Sequence, residues 1–424
     1  MSPRRCTLLS GSSNEFWLGQ LKEHLKLQNY SSQPTQRRLT VASRFLEHLD
    51  RTAVPIEKAE PSNVALYLQK ELELFRLRHG RAPRSSMEDW RRSHIAGIAI
   101  LLRLVHGQWP PAPLPSTPLE EFHRDLCSEY DAWMRELRGL ALATRSSRCA
   151  EARHFLKRLG DLGSPQGLIS ITVADIDSYM TARAERRRRS TARQVATNIR
   201  YFLRYLHATR RTATDLSTSV VGPTLYAFES IPSALDSEDV KKVLQTVRID
   251  KSREGLRDYA ILMLLSKYGL RAGEVTSLRL EDMDWRRDVL RIHHSKTGSH
   301  SELPLLPAVG DAILRYLQKG RPRTDARTIF IVHHAPYGPF SKGSSLHALV
   351  RNRVIAAGVE GQGRLGPHAF RHARAVDLLR AAVPPKEIGD ILGHRSAAST
   401  AVYLKLATED LRKVALEIPR SVNA

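Results

Sequence analysis

The stretch Gly366-Pro-His-Ala-Phe-Arg-His-Ala-Arg374 decides how this chain is read, together with Leu392-Gly-His-Arg-Ser-Ala-Ala-Ser-Thr-Ala-Val-Tyr-Leu404 further on. If the first piece is helical, His368 and Arg371 project from one face about one turn apart. Pro384 and Pro385 open a short amphipathic segment carrying Ile388, Ile391 and Leu392, and Gly393 suits its C-terminal stop. His394 then stands just past a helix end. Ser396 or Ser399 can cap a further helix, with Tyr403 riding on it. Two histidines, an arginine in an apolar run and a late tyrosine are unusual company for a packing core. They suit a tyrosine nucleophile attacking a phosphodiester.

Two more pieces lie upstream. Tyr268-Gly-Leu-Arg-Ala-Gly-Glu-Val275 supplies Arg271 and Glu274, and His294-Ser-Lys-Thr-Gly298 supplies Lys296. The latter follows the weakly alternating Val289-Leu-Arg-Ile-His293 and precedes Ser301-Glu-Leu-Pro-Leu305, which predicts a β-hairpin with Lys296 at its tip. An Arg-x-x-Glu box, a hairpin lysine, His-x-x-Arg, Leu-Gly-His and then a tyrosine, in this order, resemble the tyrosine recombinase (phage integrase) family. The resemblance covers Pro232 to Leu411 closely and the preceding residues more loosely. It implies a catalytic set of Arg271, Lys296, His368, Arg371, His394 and Tyr403, with Glu274 supporting Arg271. The chain departs from the family in three places: His372 stands where a small hydroxyl residue is common, Leu404-Lys405 follows the tyrosine in place of a polar pair, and the helical repeat before residue 111 is added to the one core-binding domain that many members have.

The residue types fit the chemistry. A phosphodiester is negatively charged, and a pentavalent transition state spreads more charge over the non-bridging oxygens. Two arginines, which stay protonated, can clamp those oxygens, and Arg271 and Arg371 take that role. A tyrosine with an ordinary pKa near 10 is phenolate in only about one molecule in a thousand at neutral pH, a disadvantage of roughly 4 kcal/mol. The arginine field lowers that cost, and His368 is the candidate base. The resemblance implies a 3′-phosphotyrosine and a free 5′-hydroxyl, with Lys296 as general acid and His394 bonded to the phosphoryl oxygen. Such an intermediate conserves the bond energy, so neither ATP, a metal nor a small-molecule cofactor is expected. Taken singly, each residue has a plain reading: a packed tyrosine, a solvated lysine, a structural histidine, an arginine paired with Glu274 or Asp377. The joint pattern carries the assignment.

Composition agrees. The 424 residues hold 66 Lys and Arg against 44 Asp and Glu, a formal charge of +22. That excess points to a polyanionic partner, first of all double-stranded DNA. Met1-Ser-Pro-Arg-Arg-Cys lacks a signal peptide's apolar run, no apolar stretch is long enough to span a bilayer, and Cys6, Cys127 and Cys149 have no paired spacing. A cytoplasmic, nucleoid-associated protein without membrane association is expected.

The fold expected is mainly α with a small antiparallel β-sheet in the catalytic domain. An N-terminal helical domain occupies residues 1–110 and a Pro-rich linker 111–118. A helical core-binding domain follows at 119–212, then a linker at 213–231, and the catalytic domain with its tail helix at 232–424. The two helical bundles read as a duplication: Arg153-His-Phe-Leu-Lys-Arg-Leu159 echoes Ser43-Arg-Phe-Leu-Glu-His-Leu49, and two further echoes follow in order. The second bundle carries Arg183, Arg186, Arg187, Arg188, Arg189 and Arg193, expected to face outward onto the DNA backbone while Val195, Ile199, Phe202, Leu203 and Leu206 form a buried stripe. A tyrosine-type site-specific recombinase, working as a homotetramer on two DNA sites and serving a mobile element, is the reading these features support. Two readings of other classes stand beside it: a non-catalytic DNA-binding or architectural protein of the same fold, and a type IB topoisomerase-like enzyme.

Overall fold

The computed structural model describes residues 10–83, 86–111, 113–185, 187–225, 235–294, 298–341, 343–360 and 365–393. By packing, these residues divide into two compact units, one running from Pro111 to Ser230 and the other made from the residues before and after it.

Four helices begin the chain: α1 (Ser10–Leu27), α2 (Ser32–Arg51), α3 (Pro61–His79) and α4 (Met87–His106). Their core is built from Leu21 and Leu25, Phe45, Leu46 and Leu49, Tyr67, and Ile98, Leu101 and Leu102. These positions recur at three- and four-residue intervals, so each helix buries one stripe. Four more helices form the Pro111–Ser230 unit: α5 (Pro118–Glu136), α6 (Leu142–Leu159), α7 (Val173–Ala184) and α8 (Arg189–Ala208). On α8 the expected stripe of Val195, Ile199, Phe202, Leu203 and Leu206 is buried. The two bundles share helix order and one side-chain pair. Phe45 meets Tyr67 edge-on with centroids 5.4 Å apart, and Phe155 meets Tyr179 edge-on at 5.0 Å.

The second bundle reaches further along the chain than its periodicity indicates. Leu216 and Val220 belong to its core, and Arg200 donates to the Val220 carbonyl at 2.7 Å. The segment from 213 to 220 is therefore packed structure, a single helical turn at Leu216–Ser219 anchored by Leu216 and Val220, too short a run to show a periodicity.

The remaining elements are α9 (Ser237–Ile249), α10 (Arg253–Tyr268), α11 (Ala272–Ser277), β1 (Met283–Asp284), β2 (Val289–His294), β3 (Ser299–Pro304), α12 (Pro307–Arg315), α13 (Ser345–Ala356), α14 (Pro367–Arg380) and α15 (Pro385–Leu392). Helix α10 runs through the centre of this core, with Ala260 to Leu265 buried on every side. The hairpin of β2 and β3 forms as the alternation predicts, in antiparallel register from Val289 opposite Pro304 to His294 opposite Ser299. A short third strand, β1, pairs with the outer edge of β2. Two residues of strand give no periodicity, so β1 could not be read from sequence. Tyr268, at the end of α10, ties down the hairpin's foot: its hydroxyl donates to the Pro304 carbonyl at 2.8 Å and accepts from the Leu306 N–H at 2.9 Å. The fold is thus mainly helical with one small antiparallel sheet. No helix among the described residues is long and apolar enough to cross a membrane.

Candidate active site

Helix α10 stops because Gly269 adopts φ +65°, a left-handed conformation that relieves the chain of a Cβ where one would be strained. A side chain there would also lie 2.7 Å from Leu392 Cδ2. The chain therefore passes close under α15 and emerges at Arg271, the residue preceding α11. Glu274 folds back on it: one carboxylate oxygen accepts from the Arg271 backbone N–H at 2.8 Å, the other from its guanidinium at 2.7 Å. The plain reading of Arg271 as a salt-bridge partner of Glu274 thus holds for one of its nitrogens. A second nitrogen, Nη2, reaches the carbonyl of Gly393 at 2.8 Å.

Arg371 comes to the same place from α14. Its side chain is buried, 4% exposed, and it donates to the Gly269 carbonyl at 2.7 Å and the Leu392 carbonyl at 2.6 Å. Asp377, the other carboxylate weighed for it, instead accepts from Ser237. The two arginines thus grip consecutive carbonyls, those of Leu392 and Gly393, at the end of α15. A helix C-terminus presents carbonyls that lack helical partners and carries the negative end of the dipole, so two cations are favoured there. Gly393 closes α15 with φ +63°, as its place after Leu392 suggests.

Glu274 is 3% exposed. Burial alone would push its carboxyl up, but hydrogen bonds from His294, the Arg271 backbone and the Arg271 side chain outweigh it and hold the group below the usual carboxylate range. His294 is a functional candidate that motif reading passed over. On β2 the side chains of Leu290, Ile292 and His294 alternate inward; that two-residue step was the signal available in the sequence.

His368 is exposed on the first turn of α14, with its ring 6.2 Å from His347 and 6.3 Å from His372. Burial pushes the His372 imidazole down to about 4, helped by His368 and Arg371 nearby, so His372 is neutral at physiological pH. Lys296, His394 and Tyr403 lie outside the described residues, as do Arg186 and the expected tail helix at 408–416. The structure therefore brings together Arg271, Glu274 and Arg371, and sets His368 one turn before Arg371 on α14. Among the described residues no group of histidine, cysteine and carboxylate side chains is arranged to hold a metal ion.

On the second bundle, Arg187, Arg188, Arg189 and Arg193 are exposed, as expected of a basic face. Arg183 is different. Its guanidinium makes two bonds to the buried Glu151, at 2.7 and 3.2 Å, and Tyr179 donates to the same carboxylate at 2.6 Å. Its position near the end of α7 turns it back onto α6, so it is a packing residue of the bundle and not part of the outward set.

Residues 233–410 match the model of the phage integrase family. The chain is 55% identical to integrase/recombinase y4gC of Sinorhizobium fredii over 189 residues, 45% of this chain and 97% of that protein. It is 34% identical to integrase/recombinase y4rA of the same organism over 293 residues, 68% of this chain and 70% of that protein. Among solved structures, the XerH site-specific recombinase bound to a palindromic difH substrate, a post-cleavage complex, superposes with a TM-score of 0.53 at 12% identity, covering 70% of this chain and 87% of that one. At that identity the likeness concerns the fold.

Proposed function

The chain belongs to the phage integrase family and is a site-specific recombinase, and from that premise we propose that it cuts DNA with Tyr403 and holds the cut strand as a 3′-phosphotyrosine. The Tyr403 oxygen forms a bond to phosphorus and the bond from phosphorus to the 5′-oxygen breaks. The tyrosine proton passes to His368, and the departing 5′-oxygen takes a proton from Lys296. Arg271 and Arg371 neutralise the non-bridging oxygens, and His394 donates a further hydrogen bond to the phosphoryl group. A second 5′-hydroxyl attacking the same phosphorus reverses each step and rejoins the strand, so the bond energy is retained.

The observation that carries this reading is the convergence of Arg271 and Arg371 on the carbonyls of Gly393 and Leu392. It puts both guanidinium groups beside the backbone that leads directly into His394. Arginine, with its N–H donors in a fixed fork, is suited to a tetrahedral or pentavalent phosphoryl centre. The exposed Arg187, Arg188, Arg189 and Arg193 supply a backbone-gripping face on the Pro111–Ser230 unit, which acts as the core-binding domain, and the first bundle is a second copy of that plan. Exchange of strands between two sites requires a cleaving subunit at each cut, and a homotetramer on two DNA sites, acting for a mobile element, completes the proposal.

The test is covalent trapping. Wild-type protein and Tyr403→Phe are incubated with nicked DNA from the flanks of the gene, and an SDS-resistant protein–DNA adduct is sought. An adduct with wild type alone supports the mechanism. An adduct that survives Tyr403→Phe overturns the assignment, and tight binding with no adduct from either favours a DNA-binding protein that does not cut.

A further inference from the structure

The buried imidazole of His294 belongs to no step above, yet it touches three parts of the site at once. It is 6% exposed. Nδ1 lies 2.8 Å from Glu274 Oε1, the same oxygen that accepts from the Arg271 guanidinium. Nε2 lies 2.9 Å from the Ser301 hydroxyl on the opposite strand of the hairpin. A carboxylate can only accept, so Nδ1 carries a proton toward Glu274, and Nε2 meets the Ser301 hydroxyl, a group able to donate or accept. The ring also packs against Gly393: a methyl group built there would lie 2.7 Å from His294 Cε1. A closed circuit results, from Arg271 to Glu274 to His294 to Gly393 and back to Arg271 through the Gly393 carbonyl.

We propose that His294 is a positioning residue for strand cleavage, fixing the Arg271 guanidinium through Glu274 and seating the Leu392-Gly393 turn against the turn end of the β2–β3 hairpin. Glu274 has two oxygens and several donors to serve. Without the Nδ1 proton, the Glu274 carboxylate can rotate away from the one geometry in which Oε1 holds the Arg271 side chain and Oε2 its backbone N–H. The inference rests on the phosphotyrosine reading, because it assigns Arg271 to the non-bridging oxygens of the cleaved phosphodiester. An imidazole is suited to the task because it can engage a polar partner on each edge while its ring packs against Gly393. A glutamine amide can imitate both edges, and an alanine neither.

Single-turnover cleavage of the nicked DNA is measured for wild type, Tyr403→Phe, His294→Ala and His294→Gln, alongside DNA affinity by fluorescence anisotropy. His294→Ala should slow adduct formation on the order of tenfold to a hundredfold with little change in affinity, and His294→Gln should recover to within roughly threefold of wild type. A second substrate carries a methylphosphonate at the cleaved position, which removes one charged non-bridging oxygen and with it much of the demand on Arg271. There the His294→Ala defect should shrink, and that of Arg271→Ala should shrink with it. Cleavage by His294→Ala at the wild-type rate, a glutamine variant no better than alanine, or a defect of equal size on both substrates would each overturn the proposal. A separate readout does not depend on cleavage. The Nδ1 proton should give a slowly exchanging downfield histidine resonance that disappears in His294→Ala and shifts in Glu274→Gln. If wild type forms no adduct, the phosphotyrosine reading fails, and the presence or absence of this resonance still decides whether His294 holds Glu274.

Discussion

Arg271 and Arg371, a hundred residues apart in sequence, donate to neighbouring carbonyls: Arg271 Nη2 to Gly393 at 2.8 Å and Arg371 Nη2 to Leu392 at 2.6 Å. The end of α15 is where two widely separated pieces of the motif become one site. The two arginines are not equivalent there. Arg371 is buried and bridges two backbone segments, whereas the Arg271 side chain is 24% exposed and paired with Glu274.

That asymmetry separates stability from chemistry. Arg371→Ala leaves the Gly269 and Leu392 carbonyls without their charged donor and should cost about 2–4 kcal/mol of stability as well as cleavage. Arg271→Ala should abolish cleavage to a similar degree while costing only about 1–2 kcal/mol, because Glu274 keeps His294 and the Arg271 backbone N–H. Urea denaturation beside adduct formation checks both. Equal destabilisation by the two variants would contradict the burial argument.

Glu274→Gln tests the depressed carboxyl. A folded-state pKa below the unfolded value gives stability that is fully present above about 4.5 and is lost as pH falls through the folded value. Wild type should therefore exceed Glu274→Gln in stability at pH 7, with the gap closing in acid. Adduct formation at pH 7 should fall roughly tenfold in the variant as Arg271 loses its fixed partner. A gap that stays constant down to pH 3 would refute the assignment.

His372 predicts an acid sensitivity of its own. Its imidazole is held down to about 4, so between about 6.5 and 4 the unfolded chain binds a proton that the folded chain does not. Stability should fall with decreasing pH across that window, and His372→Gln should flatten part of the fall. Thermal midpoints of the two proteins at pH 7.5 and 5 provide the comparison; parallel losses would argue against a half-buried neutral imidazole.

The arginines of the second bundle should divide into two behaviours. Arg193→Ala removes an exposed charge and should weaken DNA binding at all sequences, lowering the slope of log affinity against log salt by about one, with little effect on folding. Arg183→Ala leaves Glu151 buried beside Tyr179 alone and should destabilise the bundle by roughly 1–3 kcal/mol with a smaller change in salt slope. Salt titrations of DNA affinity and urea denaturation distinguish them. A full unit of salt slope lost in Arg183→Ala would return it to the DNA-facing set.

Much was legible in the sequence by itself, because periodicity and residue chemistry are local. The apolar stripe of α8, the alternation of β2, the prolines and glycine that bound α15, and the order of the Arg271, Lys296, His368, Arg371, His394 and Tyr403 motif all follow from spacing along the chain. Spacing says which face of an element is buried but not what waits on the other side of the burial. Only the tertiary structure decided that Arg183 turns inward to Glu151, that Leu216 and Val220 stay with the second core, and that His294 closes a circuit with Glu274 and Gly393. The meeting of Arg271 and Arg371 at two consecutive carbonyls is of the same kind, since α10, α14 and α15 must pack together before either guanidinium finds the helix end that holds it.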